Sequence, residues 1–141
     1  MEEIIKEKIS ADHLLYVSLK YTKTCDVIIN LLSRWKNMID KGLDRLVEKA
    51  KKDRKWKGIS GAPRAQIIEI RKIYANVPEV METLNLYELF RDIDKLDKVR
   101  ESEFRKGVNL KVTYKNQIIN INLLQLKDYA AVLEKFISYL K

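Results

Sequence analysis

The chain is poor in the residues that carry most metal, redox and covalent chemistry: among 141 residues there is one cysteine, Cys25, and one histidine, His13. An intramolecular disulfide is thereby excluded, and a reducing, cytoplasmic setting is expected. A structural zinc or iron site needs three or four thiolate or imidazole ligands, which this chain cannot supply. Nucleophilic catalysis by Cys25 would need His13 beside it, and nothing in the local sequence brings the two together. No cofactor is implied. Glycine and proline are scarce as well, at four and two, which leaves few breaks and favours helices. Long apolar runs are missing: no stretch reaches the roughly 18 residues of a membrane span. "MEEIIKEKIS" alternates charge with isoleucine where a leader would carry a basic stub and an apolar core. No membrane association is expected.

Lys, Glu, Ile and Leu dominate instead. With 46% hydrophobic residues, the chain can bury one sizeable core, so residues 1–141 are expected to form a single domain. The formal charge of +8 attracts anionic partners such as RNA or nucleotides at long range and says nothing about fold.

Apolar periodicity predicts a first helix from Glu3 to about Tyr21, with Ile5, Ile9, Leu15 or Tyr16 and Leu19 about one turn apart. Apolar residues wrap far around it, which predicts a largely buried helix. The clearest stripe is Val27, Ile28, Leu31, Leu32, Trp35, Met38, Ile39, Leu43, Leu46, Val47 and Ala50, with Thr24 or Asp26 placed to cap its start and Gly58 beyond its end. Ile67, Ile68, Ile70, Ile73 and Tyr74 mark a third helix that Asn76 and Pro78 end or interrupt. Val80, Met81, Leu84, Leu89, Phe90, Ile93, Leu96 and Val99 carry a fourth, either separate from the third or its kinked continuation.

The period then becomes twofold. In "NLKVTYKNQIININ" a two-residue turn at Lys115-Asn116 would pair Tyr114 with Gln117, Val112 with Ile119 and Leu110 with Ile121, placing the aliphatic side chains on one face of a hairpin at about residues 108–122. A last helix opens at Asn122 with Gln125 three residues on, and shows Leu126, Tyr129, Ala130, Leu133, Phe136 or Ile137, and Leu140 on one stripe. The predicted fold is mainly α: an up-and-down helical bundle with a small β-hairpin before the C-terminal helix.

Candidate chemistry is sparse. Asp94 and Asp97, read on neighbouring helical turns, could hold a hard cation, but interleaved Arg91, Lys95 and Lys98 make a salt-bridged surface the plainer reading. "GISGAPR", Gly58 to Arg64, lacks the Gly-Lys-Ser/Thr ending and preceding strand of a phosphate loop. Trp35 belongs to the apolar stripe. "EKAKKDRKWKGISGAPRAQ" is different: Lys49, Lys51, Lys52, Arg54, Lys55 and Lys57 cluster around Trp56. Clustered cations gain affinity for phosphates by counterion release, and an aromatic face can stack a base. Lys51, Lys52, Arg54, Lys55, Trp56 and Lys57 are therefore the candidate nucleic-acid-binding residues. The alternative is a solvated crossover whose lysines complement a helix C-terminus while Trp56 covers the bundle end.

In "ADHLLYVSLKYTKTCDVIINLLSRW" and "SEFRKGVNLKVTYKNQIININLLQLKDYAAVLEKFISYL" the chain resembles a small set of uncharacterised, mainly archaeal helical-bundle proteins related to HEPN domains. The two stretches cover just under half of the sequence. Ribonucleases of that family use an Arg and a His separated by four to six residues at a dimer interface. No Arg precedes His13, and the corresponding positions after Arg34 hold Ile39, Asp40 and Lys41. The resemblance thus implies a non-enzymatic HEPN-like module, a homodimer, that binds nucleotide or RNA or partners a separately encoded small nucleotidyltransferase. A degenerate ribonuclease using Arg34 and Asp40 is one alternative, disfavoured because Asp cannot replace imidazole near neutral pH without a large pKa shift. A purely structural protein–protein interaction domain is the other. A dimer is expected to bury part of Tyr16, Tyr21 or Trp35.

Overall fold

A computed structural model describes residues 1–58 and 61–141. Its organising element is α3, Cys25–Lys52, the helix with the clearest apolar stripe. Thr24 caps it by accepting from the Val27 N–H at 3.4 Å, satisfying one of the free amides of the first turn. At the other end the Lys55 N–H reaches back to the Ala50 carbonyl and the Arg54 N–H to Lys51, with Arg54 at φ +57. A left-handed residue that closes both bonds terminates the helix; Arg54 fills the role usually given to glycine, and Gly58 lies farther on. Of the expected stripe, Val27 and Val47 are half-buried and the rest buried, joined by Cys25 and Gly42.

The N-terminal segment runs as α1, Glu2–His13, a π-helical turn, Leu14–Ser18, and a last short helix α2, Leu19–Tyr21. Its α1 and π-helical parts pack on α3, and Ile4, Ala11, Leu15 and Leu19 are its buried residues. The expectation of a largely buried helix holds for one face only: these four are buried, while Ile9 is 63% and Tyr16 54% exposed. The wide apolar wrap is two faces, one in the core and one in solvent, and the extra residue of the π turn leaves Tyr16 and Val17 both outside. Residues 63–92 form two helices, α4, Pro63–Ile73, and α5, Pro78–Asp92, each with proline in its first turn, where the missing N–H is harmless. Arg71 on α4 bonds Asn85 and Glu88 on α5. Ile68, though on the predicted stripe, is exposed.

The predicted fourth helix does not reach Val99. After α5 come a 3-10 turn, Ile93–Lys95, and a strand β1, Lys98–Glu101. Strands β2, Asn109–Tyr114, and β3, Gln117–Asn122, form the predicted hairpin in the predicted register: Tyr114 with Gln117, Val112 with Ile119, Leu110 with Ile121. Lys115 and Asn116 at φ +50 and +63 make its turn. The sheet is three-stranded and antiparallel, with β1 beside β2, so the β region is larger than a hairpin. Asn122 accepts from the Gln125 N–H at 2.9 Å and starts α6, Leu123–Leu140. Trp35, Phe90 and Tyr129, with centroids 5.4 to 6.5 Å apart, lock α3, α5 and α6 together. The result is a mainly helical fold with a small sheet at its side.

Candidate interaction surfaces

The basic crossover begins in the last turn of α3. Lys49, Lys51, Lys52, Arg54, Lys55 and Lys57 are all exposed, and none forms an ion pair among the described residues. Lys49, Lys51 and Lys52 stand where the helix dipole favours cations. Lys49 also lies 5.8 Å from the Tyr139 ring centroid. Trp56 is half-buried and packs against the core. The cations of this segment are thus available to a polyanion, while its indole serves the end of the bundle. A groove of about 300 Å³ beside it is lined by Arg45, Lys49, Lys52, Tyr139 and Lys141, with Glu48 the one acidic side chain in its wall.

A second surface runs along α1 and α3. Between Lys6 and Lys20 the exposed residues are Ile9, Ser10, His13, Tyr16 and Val17; between Asp26 and Asp40 they are Asn30, Ser33, Arg34 and Asn37. In a chain that is 34% charged, this strip holds one permanently ionised exposed side chain, Arg34. A groove of about 330 Å³ lined by Ile9, Ser10, His13, Leu14, Asn30 and Arg34 lies within it. Helical spacing places Asn30, Ser33, Arg34 and Asn37 on one side of α3. His13 is exposed, with its Nδ1 3.4 Å from the Ser18 hydroxyl. That His13 and Arg34, twenty-one positions apart, line one groove is invisible to linear motif spacing.

Arg34 is partly committed. Its Nη1 is 3.8 Å from Glu7 Oε2, a buried oxygen that accepts no hydrogen bond, and Lys41 reaches Glu7 Oε1 at 3.5 Å. Asp40 faces a different neighbour: the Tyr87 hydroxyl donates to it at 2.6 Å and Lys36 pairs with it at 2.8 Å. Burial, then this hydrogen bond, push the Tyr87 hydroxyl far above its ordinary pKa. Within one chain, Arg34 and Asp40 face different neighbours, α1 and α5, and share no partner. Trp35 is 3% exposed and is withdrawn from the expected dimer contact.

The remaining candidates are not built into sites. Asp94 is in the 3-10 turn and Asp97 beyond it, so the helical pairing expected for them with Lys95 and Lys98 does not form. Lys98 Nζ bonds the Ile93 and Leu96 carbonyls instead. No group of three or more His, Cys, Asp or Glu among the described residues could hold a metal ion. Of "GISGAPR", Ile59 and Ser60 lie outside the described residues; Gly58 has φ +64 and Pro63 opens α4. Cys25 is buried and donates to the Asn109 carbonyl at 3.3 Å, and burial raises its pKa, the opposite of an activated thiol. No described helix is long and apolar enough to cross a membrane. Comparisons with protein-family models, curated proteins and solved structures return no match.

Proposed function

We propose that this chain is a non-enzymatic helical binding module that pairs with a second copy of itself through the α1–α3 strip. The observation that carries this reading is the strip's composition. Interface centres are depleted of charge and enriched in aromatic residues and Arg; Tyr16 and Arg34, beside Ile9 and Val17 and the uncharged Asn30, Ser33 and Asn37, fit the low charge of such a centre on a surface otherwise dense in Lys and Glu. Two molecules of +8 charge repel, so the face on which they can meet is the one with least charge. A twofold axis through the strip would set apolar centre against apolar centre. The HEPN-like resemblance points to pairing as well, and a reducing, cytoplasmic compartment suits the free buried thiol. The test is the mass of the full chain in solution, for the parent and for Ile9→Glu/Tyr16→Glu. A mixed pair with another protein, such as a separately encoded small nucleotidyltransferase, is the competing occupant and would leave the purified chain monomeric.

A second reading is favoured by the free cations of Lys51, Lys52, Arg54, Lys55 and Lys57: a weak, non-specific grip on RNA or another polyanion. With Trp56 engaged in the core, this grip is electrostatic and does not stack bases.

A further inference from the structure

The two most exposed large apolar side chains among the described residues are Tyr21, at 79%, and Phe104, at 74%. One backbone hydrogen bond brings them to the same end of the molecule: the Phe104 N–H donates to the Lys23 carbonyl at 2.6 Å. Tyr21 is two residues before Lys23, within about 8 Å of chain. Phe104 sits at φ +64, and Ser102, two residues earlier, at φ +53. That region suits glycine or asparagine; a residue with a bulky Cβ substituent is crowded there against its own backbone. The loop therefore holds a phenyl ring in water in a conformation its own side chain opposes. The core gains nothing from the ring.

The charges around the pair are arranged unequally. Asp26 and Glu103 are both held by Arg100, at 2.8 and 3.3 Å, and Glu101 accepts from Asn109 at 2.9 Å. Lys20, Arg105 and Lys106 are exposed and make no ion pair among the described residues. Lys20 Nζ lies 5.9 Å from the Tyr21 centroid, and Lys23 Nζ folds back onto the Lys20 carbonyl. The carboxylates have partners within the chain, and cations without an ion pair flank two exposed rings, Lys20 lying over one of them.

We infer that this end binds single-stranded nucleic acid, with bases stacked on Phe104 and Tyr21 and phosphates met by Lys20, Arg105 and Lys106. Aromatic platforms flanked by cations are the sequence-tolerant means of holding single strands, because every unpaired base offers a flat face. A duplex keeps those faces hidden. An apolar peptide would cover the rings but desolvate the cations without a counter-charge; a strand of bases and phosphates answers both. Single-stranded RNA and DNA share this chemistry. The site needs one copy of the chain, so it stands or falls separately from the proposed pairing, and it is distinct from the Lys51–Lys57 crossover.

The experiment is fluorescence anisotropy on the full chain with labelled oligo(U) and oligo(dT) of about 12 nucleotides, and a duplex of equal length. Single strands are expected to bind more tightly than duplex. Phe104→Ala and Tyr21→Ala should each weaken binding by about 5- to 150-fold, Phe104→Trp should retain it, and melting temperatures should hold. Phe104→Gly removes the ring while relieving the backbone, and must weaken binding equally if the alanine variant folds poorly. Neutralising Lys51, Lys52, Arg54, Lys55 and Lys57 together should leave the dependence on Phe104 intact. The ratio of oligo(U) to oligo(dT) affinity identifies the preferred strand, and either preference fits the site. Equal affinity for duplex, no affinity at all, or unchanged affinity in both ring variants would overturn the inference, as would a protein captured at this surface by a chain with no oligonucleotide binding.

Discussion

Gly42 decides how closely α6 approaches α3. A Cβ placed there would stand 2.6 Å from Phe136 Cε2 and 3.1 Å from Leu140 Cδ1, and Phe136 is fully buried, so its ring would have to shift against packed neighbours. Alanine would gain about 1 kcal/mol of helix propensity but incur overpacking of about 1–3 kcal/mol. Gly42→Ala should therefore lower the denaturant midpoint with an unchanged slope; a rise would mean that the two helices part easily. Tyr129 offers a pH test of the same core. Burial pushes its hydroxyl up to about 12, above the ordinary 10.0 it regains on unfolding. The unfolded chain then loses its proton first. The stabilising contribution is fully present below pH about 10 and is lost as pH rises towards about 12. Denaturant midpoints measured across that interval should fall less steeply in Tyr129→Phe than in the parent, a comparison that cancels the titrating lysines common to both.

The basic crossover is an element whose two roles can be separated. Neutralising Lys51, Lys52, Arg54, Lys55 and Lys57 should reduce whatever steep salt dependence RNA binding shows. Trp56→Ala should lower the melting temperature and leave affinity unchanged, because Trp56 packs against the core. An affinity loss without a stability loss would return Trp56 to the role of stacking platform. Legibility in the sequence followed locality. The α3 stripe, the Asn122 cap and the hairpin register are written in neighbouring residues, and the structure reproduces them. Strand β1 was not legible: "KVRE" is four residues long and mostly charged, and it is a strand because β2 lies beside it. Val99 happened to fall at helical spacing after Leu96. For α1, periodicity showed which residues are apolar but not which of two apolar faces meets the core. The candidate surfaces were legible only in part: the cations of the crossover stand out as a run, whereas the α1–α3 strip and the Tyr21–Phe104 end join segments distant in sequence.

At the scale of the whole molecule, two kinds of surface divide the work. The α1–α3 strip is nearly free of charge, and the crossover and the Tyr21–Phe104 end are cationic. Salt should act on them in opposite directions: screening relieves repulsion between two +8 chains and favours pairing, while it weakens attraction for a polyanion. Pairing is the central claim, and the molar mass of the purified full chain at tens of micromolar, by light scattering coupled to size exclusion, tests it most directly. The expected mass is twice 16.6 kDa, falling to the single-chain value in Ile9→Glu/Tyr16→Glu with its melting transition retained. A parent mass of 16.6 kDa at that concentration, or a dimer indifferent to both substitutions, would contradict it.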